Sequence, residues 1–174
     1  SIVAALSAGA KAVVPAASSE EAVRLTANLE KDGIVLAGER RMAKIEGFGL
    51  GNSPREMTAD AVRGKTVFLA TTNGTPALVA SQGGDPVLVA AALNFSAVAE
   101  RARAVFAERG ALVIICAGRE KQFALEDAYT AGRLIKAVKK GARKVMLNDA
   151  AQVSLDLAGQ QGGWQDAFDA SEAA

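Results

Sequence analysis

The sequence predicts an α/β protein of the three-layer α/β/α type, with a mostly parallel central sheet and helices on both of its faces. Short apolar runs, partly β-branched and bounded by Gly, Pro or charged residues, recur along the 174 residues. Their hydrophobicity is continuous rather than alternating, which is typical of strands covered on both faces. Helical patterns lie between these runs, and repeated strand and helix units favour a parallel sheet.

The predicted strands and helices alternate in chain order. We expect strands at residues 12–15, 34–37, 66–70, 87–90 and 111–116. We expect helices at residues 19–31, 54–62, 75–81, 96–109 and 125–140. Serine precedes several of these helices, and Gly110 and Gly141 follow two of them, as is usual for helix starts and stops.

Length and composition favour one domain over residues 1–174, because half of the residues are apolar and a chain of this length can bury one core. The chain begins at Ser1 in the middle of a helical pattern, without Met, and ends within an Ala-rich helical pattern after Trp164. We therefore expect it to be an internal portion of a longer chain. The pattern leaves the oligomeric state open, a homo-oligomer included.

Charge and residue usage exclude several classes of protein. The formal net charge is +1 and the basic residues are scattered among acids, which argues against a nucleic-acid surface. No apolar run approaches the roughly 20 residues of a membrane helix, and no signal peptide is visible, so we expect no membrane partner. The single cysteine, Cys116, excludes an internal disulfide and favours a reducing, cytoplasmic setting.

The absence of histidine narrows the chemistry further. With 0 His in the chain, Cys/His zinc sites, Ser-His-Asp and Cys-His triads and histidine general bases are excluded. Any catalysis must use carboxylates, hydroxyls, Lys or Arg, the thiol or a metal. Cys116 lacks the arginine six positions later that thiolate phosphatases use, since residue 122 is Gln. We therefore expect Cys116 to be a packed side chain.

Polar residues cluster where two of the predicted strands end. The run 37–54 supplies Glu39, Arg40 and close-spaced glycines, and the segment 71–75 follows a later strand. In an open α/β sheet the carboxyl ends of the strands are where ligands bind. This mixture of side chains predicts a site for a small anionic ligand. The substrate-binding candidates in it are Gly51, Asn52, Ser53, Thr71, Thr72, Asn73, Gly74 and Thr75.

Each of these features also has an ordinary structural interpretation. Glu39 suits a solvated loop, although its place after a strand favours a functional role. The Arg40 guanidinium fits phosphate or sulfonate oxygens, but an exposed arginine would give the same sequence. The segment 71–75 can present N–H groups and hydroxyls to an anion at a helix N-terminus. A turn with an N-cap uses the same residue types.

Several motifs, in order along most of the chain, resemble the 2-phosphosulfolactate phosphatase (ComB-like) family. They are SIVAAL at 1–6 with GAK at 9–11, AGER at 37–40, GF at 47–48 with LGNSP at 50–54, GKT at 64–66, TTNGT at 71–75, and CAG at 116–118 with Phe123 and LED at 125–127. The resemblance implies a three-layer α/β/α fold. It also implies Mg²⁺-dependent hydrolysis of 2-phospho-3-sulfolactate to sulfolactate and phosphate, a step on the route to coenzyme M.

The resemblance further implies roles for individual residues. The candidate metal ligands are Glu39, Glu126 and Asp127. The candidate catalytic residues are Glu39, Arg40 and Asp127. Mg²⁺ prefers such oxygen ligands. Without the resemblance, Glu126 and Asp127 would be taken as acids that complement the dipole at a helix start.

Other candidates lie outside this set. Gly118 and Arg119 follow Cys116 in a loop, and Arg119 could hold a second anionic group. Asn94 is a weaker site candidate, as a polar residue beyond the predicted strand at 87–90. We expect Phe123 to be a packing residue and Trp164 to lie in the core or at an interface.

Two functions remain open. The first is a Mg²⁺-dependent phosphatase acting on 2-phospho-3-sulfolactate or a similar small phosphate ester, in which metal and arginine neutralise the phosphate. The second is a non-catalytic module of the same fold that binds phosphate or sulfonate. Family members usually carry an Asp-Val-Leu-Arg-Ala-Thr-like strand end before the position of Ser1, which would discriminate between the two. A dinucleotide-binding domain is disfavoured, because the glycines at 47, 49 and 51 do not have the required spacing.

Overall fold

The computed structural model describes residues 1–142, 144–160 and 162–171. The chain divides into two compact units, Ser1–Gln82 and Gly83–Ala174, called here the first and the second unit. Each is described by itself. The expectation of one domain over residues 1–174 stays a prediction.

The sheet of the first unit has four strands. They are β1 (Ala12–Ala16), β2 (Ile34–Arg40), β3 (Ala43–Lys44) and β4 (Thr66–Ala70), in the order β1-β4-β2-β3. Both β1 and β2 run parallel to β4, whereas β3 pairs antiparallel to β2. The mostly parallel sheet confirms the predicted α/β class, and each of the three predicted strands in this unit is present.

Helices cover both faces of this sheet. They are α1 (Ile2–Ser7), α2 (Ser19–Thr26), α3 (Ala59–Val62) and α4 (Gly74–Ala80), with short 3₁₀ turns at Lys31–Gly33 and Pro54–Glu56. Leu69 packs in a core cluster with residues of α1 and α3, and its neighbour Ala70 packs in a second cluster with Ala22 of α2. Because successive strand residues point to opposite faces, α2 covers one face of β4 while α1 and α3 cover the other.

Two predicted helices of the first unit are shorter than expected. The helix predicted at 19–31 ends at Thr26, whose hydroxyl donates back to the carbonyls of Ala22 and Val23. The helix predicted at 54–62 is divided into a 3₁₀ turn and α3, because the buried Met57 leaves the helical conformation between them.

The second unit is helical over most of the residues that the structure describes there. It contains α5 (Phe95–Arg109), α6 (Leu125–Lys139), α7 (Asp149–Gln160) and α8 (Trp164–Asp169), with a 3₁₀ turn at Ala92–Asn94. Leu134 and Val138 of α6 pack against Val98, Ala99 and Ala102 of α5. The predicted helices at 96–109 and 125–140 are confirmed to within one residue, whereas α7 had not been expected.

The strands predicted at 87–90 and 111–116 are wrong: among the described residues of the second unit, neither segment joins a ladder. Leu112 and Ile114 pack against the α5–α6 cluster. Val113 and Ile115, between and after them, are 83% and 49% exposed. The continuous apolar run predicted burial on both sides, but this packing covers only alternate side chains.

No helix within the described ranges combines the length and the apolar character that a membrane-spanning helix requires.

Candidate functional site

Glu39 lies near the end of β2 and holds two neighbouring segments through its carboxylate. Its Oε1 accepts the backbone N–H of Thr72 at 2.7 Å. Its Oε2 accepts the Thr72 hydroxyl at 2.9 Å and the backbone N–H of Met42 at 3.1 Å. Glu39 therefore ties the segment after β4 to the turn after β2, at the carboxyl edge of the parallel strands.

The turn that follows Glu39 has an uncommon backbone. Arg41 and Met42 have φ of 52° and 67°, in the left-handed region that non-glycine residues seldom adopt. The turn joins β2 to the two-residue β3, and the Arg41 N–H also approaches the Thr72 hydroxyl at 3.4 Å. The same threonine thus contacts Glu39 and the turn.

Arg40 ends β2 with its side chain 74% exposed. Its guanidinium lies 3.9 Å from the equally exposed Glu20 of α2. An ion pair this long and this exposed to water contributes little. The guanidinium therefore remains available to an anion arriving at this edge.

The segment 71–75 forms a compact turn whose polar groups bond to one another. The Thr75 hydroxyl accepts the Thr71 N–H and donates to the Thr71 carbonyl, both at 3.0 Å. The Thr71 hydroxyl accepts the Thr75 N–H at 3.1 Å. Three N–H groups of the predicted anion cradle, those of Thr71, Thr72 and Thr75, thus already have partners within the protein. The substrate-binding role predicted for this segment stays a prediction.

The predicted site residues at 51–53 lie in a segment that runs beside β2. Gly38 donates its N–H to the carbonyl of Leu50, and the N–H of Leu50 bonds to Leu36, both at 3.1 Å. The buried Gly51 then donates to Oε2 of Glu56 at 2.8 Å. A Cβ at Gly51 would lie 2.6 Å from Glu56 Oε1, so a larger residue here would have to displace the carboxylate that accepts the Gly51 N–H.

Asn52 and Ser53 continue this segment. Asn52 accepts the Ser1 hydroxyl at 2.7 Å, and the Ser53 hydroxyl accepts the Arg55 N–H at 3.3 Å. Glu56, which holds Gly51, was not among the predicted site residues, because a glutamate shortly after Ser53 and Pro54 has the pattern of a helix start. Nothing in its pattern distinguishes that role from the anchoring of a loop.

In the second unit, Asp127 in the first turn of α6 anchors a different loop. Its Oδ2 accepts the N–H of Gly118 at 2.7 Å. Partial burial raises the pKa of the Asp127 carboxyl above its usual value, and the charge of Glu126 adds to this, against the lowering effect of the Gly118 and Ala117 N–H groups. The site therefore holds two adjacent acids at a cost that a nearby cation would relieve.

The loop held by Asp127 contains a second turn with left-handed residues. Gly118 has φ of 70°, and Glu120 and Lys121 have φ of 50° and 66°. Arg119 and Gln122 close the turn by exchanging backbone hydrogen bonds of 3.1 and 2.8 Å. The binding roles predicted for Gly118 and Arg119 stay predictions, with Arg119 placed at the base of this turn.

Two side chains of the second unit that were expected to pack, Cys116 and Phe123, are exposed. Cys116 is exposed, so the packed side chain expected there is wrong. Although part of the residue is open to solvent, neighbouring atoms partly desolvate the thiol, and this desolvation, followed by the charge of Asp127, raises the pKa of Cys116 and disfavours a reactive thiolate at neutral pH. Phe123 is 71% exposed, so the packing role expected for it is also wrong.

Asn94 and Trp164 both contact other residues of this unit. Asn94 uses its side-chain amide locally, accepting the Ala91 N–H and donating to the Val89 carbonyl, both at 2.8 Å. Trp164 packs with the buried Tyr129 of α6, which confirms the core role expected for it.

The predicted metal ligands differ in how well they fit Mg²⁺. Glu39 fits poorly, since both of its oxygens already accept hydrogen bonds from the protein. Asp127 accepts the Gly118 N–H on Oδ2, and with the adjacent Glu126 it offers two carboxylates, a number that Mg²⁺ commonly uses together with several waters. Among residues 1–142, 144–160 and 162–171, no group of three or more Asp, Glu, His or Cys side chains is placed to hold a metal ion.

Comparison with known proteins gives one consistent result. A family model described as 2-phosphosulpholactate phosphatase matches residues 1–174. Three similar curated proteins are each described as a probable 2-phosphosulfolactate phosphatase. That of Caldanaerobacter subterraneus subsp. tengcongensis is 44% identical over 138 residues, which are 79% of this chain and 56% of the relative.

The other two relatives give similar values. The Clostridium acetobutylicum protein is 41% identical over 150 residues, covering 86% of this chain and 62% of the relative. The Thermotoga maritima protein is 38% identical over 139 residues, covering 80% and 57%. The chain thus spans 56% to 62% of the length of these relatives.

Proposed function

Because the chain belongs to the 2-phosphosulfolactate phosphatase family, we propose that it acts, within its full-length protein, in the hydrolysis of 2-phospho-3-sulfolactate or a similar small anionic phosphate ester. The observation that carries this proposal is the family match over all of residues 1–174. The products would be sulfolactate and phosphate, which would place the reaction on the route to coenzyme M.

The proposed reaction transfers a phosphoryl group to water. The ester oxygen–phosphorus bond breaks, water supplies the new oxygen on phosphorus, and the proton it loses balances the alkoxide that leaves as the alcohol of sulfolactate. Such reactions depend mainly on positioning and on neutralising the charge of the phosphoryl oxygens. The proposal therefore requires cationic and hydrogen-bonding groups around the phosphoryl oxygens.

We assign the anion-binding role in the first unit to Arg40. Its guanidinium is exposed and only loosely paired with Glu20, and its planar donors match phosphate or sulfonate oxygens. The segments that flank Arg40 at this edge, 51–53 and 71–75, supply the neighbouring walls of the proposed binding surface. In the second unit, Arg119 is proposed as an anion-binding residue of the loop that Asp127 holds.

We assign Mg²⁺ binding to Asp127 and Glu126. Their adjacent carboxylates supply hard oxygen ligands, and the raised pKa of Asp127 reflects a partly buried site next to a like charge. When bound, the ion would neutralise phosphate charge. Asp127 would in addition keep its bond to Gly118 and so hold the loop that carries Arg119.

The test is phosphate release from 2-phosphosulfolactate by the full-length protein, with Mg²⁺ and with EDTA. We expect turnover with Mg²⁺ that EDTA abolishes, and a loss of about 100-fold in kcat/KM for Asp127→Asn. The matched control is Asp60→Asn, because Asp60 also lies in the first turn of a helix and is exposed. We expect this control to have the same kcat/KM as the wild type. Folded protein that binds phosphate or sulfonate without turnover would favour the non-catalytic module instead.

A further inference from the structure

We propose that Glu39 is a positioning residue and not a metal ligand: its carboxylate holds the β2–β3 turn and Thr72 together and so orients Arg40 towards the substrate anion. This inference rests on the proposed function for the role of Arg40. The hydrogen bonds of Glu39 carry the rest of it.

The carboxylate of Glu39 already accepts several hydrogen bonds. Three donors from two segments converge on it, the Thr72 N–H, the Thr72 hydroxyl and the Met42 N–H, at 2.7, 2.9 and 3.1 Å. A carboxylate offers about four acceptor positions. For direct contact with Glu39, a Mg²⁺ ion would have to displace at least one of these donors, or bind a carboxylate oxygen that already accepts a hydrogen bond. Hydrogen bonds to an ionised acceptor are among the stronger ones in proteins.

The hydrogen bonds of Glu39 stabilise a turn with an unfavourable backbone. Two consecutive residues, Arg41 and Met42, hold the left-handed conformation, which costs energy for residues that carry a Cβ. The strand beyond them, β3, has two residues and supplies little pairing of its own. Glu39 bonds to Met42, and Thr72 contacts both Glu39 and the Arg41 N–H. The network therefore holds the turn from two sides.

Arg40 connects this turn to the proposed anion site. Arg40 lies between Glu39 and the left-handed pair, and pairs with Ala43 across the hairpin. Its side chain has no strong restraint of its own, since Glu20 is 3.9 Å away and exposed. The direction of the guanidinium thus depends on the backbone that Glu39 and Thr72 hold.

The first experiment needs no substrate. Glu39→Gln and the control Glu46→Gln, an exposed glutamate in the same unit, are titrated with Mg²⁺ alone by calorimetry, and the exchange rates of the Met42 and Thr72 amides are measured by NMR. A glutamine at 39 can accept from only one side, so we expect at least one of these amides to exchange about tenfold faster. We expect Mg²⁺ affinity to equal that of the wild type. A tenfold weaker Mg²⁺ affinity with unchanged amide exchange would overturn the proposal.

The second experiment separates positioning from a loss of stability. Thr72→Val removes the hydroxyl donor to Glu39, whereas Thr72→Ser keeps it. In the full-length protein we expect Thr72→Val and Glu39→Gln each to raise KM about tenfold with a smaller effect on kcat. We expect Thr72→Ser to have the same KM as the wild type. We expect the double variant Glu39→Gln with Thr72→Val to lose no more than either single variant, since the two share one network. Additive losses, or a Thr72→Val protein with wild-type KM, would overturn the proposal.

The two experiments also distinguish this proposal from the proposed function. If the wild-type protein releases no phosphate, the phosphatase assignment fails, while the Mg²⁺ titration and the amide exchange still decide whether Glu39 holds the turn. If the wild-type protein is active and Glu39→Gln fails only in Mg²⁺ binding, the function stands and the positioning role is refuted.

Discussion

Replacement of Gly132 by alanine tests the closest helix contact in the second unit. Gly132 is buried in the middle of α6, where it faces α7. A Cβ at this position would overlap the carbonyl oxygen of Ser154, and would lie 2.5 Å from the carbonyl carbon of Ser154 and 2.8 Å from Cβ of Ala158. Ordinary carbon contacts are about 3.5–4.0 Å, so α7 would have to retreat by about 1 Å.

The magnitude follows from two opposing effects. Overpacking of this kind costs about 1–3 kcal/mol, occasionally more. Alanine is the better helix former by about 1 kcal/mol. Because the obstacle at Ser154 is backbone and not the end of a flexible side chain, the cost should lie at the upper end. We expect a net loss of about 2 kcal/mol in the free energy of unfolding.

The assay is urea unfolding followed by the fluorescence of Trp164, the only tryptophan in the chain, which packs in the cluster that contains Ala158. The control is Gly159→Ala, because a Cβ at that position in α7 meets nothing within 4 Å. We expect the control to be as stable as the wild type or up to about 1 kcal/mol more stable. A Gly132→Ala protein that matched this control would refute the close approach of α6 and α7.

Two further substitutions probe one unit each. Thr75→Val should cost about 1–3 kcal/mol in the free energy of unfolding, because it removes the buried hydroxyl that bonds to Thr71. The control Thr58→Val, at a helix cap without a side-chain bond, should change the free energy of unfolding by less than about 0.5 kcal/mol. Equal effects of the two substitutions in urea unfolding would contradict this prediction. Arg133→Met should cost about 1–3 kcal/mol by the same measurement, because the guanidinium lies 5.1 Å from the Trp164 ring centroid and donates to a buried tyrosine hydroxyl at 2.9 Å. A variant as stable as the wild type would show that this contact contributes nothing.

The strands of the first unit were predictable because their apolar side chains are buried or half-buried on both faces of the sheet. The predicted strand 66–70 agrees with β4, and those at 12–15 and 34–37 lie within β1 and β2. The prediction for β2 stopped at residue 37 because Gly38, Glu39 and Arg40 are not apolar. Their strand conformation comes from pairing with β3 and from the segment around Leu50, which are contacts distant from the local pattern.

The failures in the second unit have a related cause. Residues 111–116 have the composition of a buried strand, yet a strand also requires a neighbour that offers backbone hydrogen bonds. Within the described part of this unit that neighbour is absent, and the side chains pack one-sidedly on α5 and α6. The α7 helix was missed although Gly132 marks its contact, because a glycine in a helical pattern does not identify what lies against it.

The candidate site shows how far a motif can be interpreted from sequence. Glu39 was singled out by its place after an apolar run, whereas Asp127, in the pattern of a helix start, was singled out only through the family resemblance. In the structure each carboxylate accepts backbone N–H groups from a loop beside it. An acid that binds a metal and an acid that holds a loop need the same residue type, so sequence alone does not separate them.

The two acids stand beside similar turns and differ in the surroundings of their carboxylates. Both turns contain consecutive non-glycine residues with positive φ, Arg41 and Met42 in one and Glu120 and Lys121 in the other. Such a backbone persists only where surrounding contacts stabilise it. For Glu39 those contacts use both oxygens. For Asp127, partial burial, followed by the charge of Glu126, raises the pKa of the carboxyl against the bonds from Gly118 and Ala117. The same anchoring chemistry therefore gives both oxygens of Glu39 a partner in the protein, while at Asp127 burial and a neighbouring like charge make ionisation more costly.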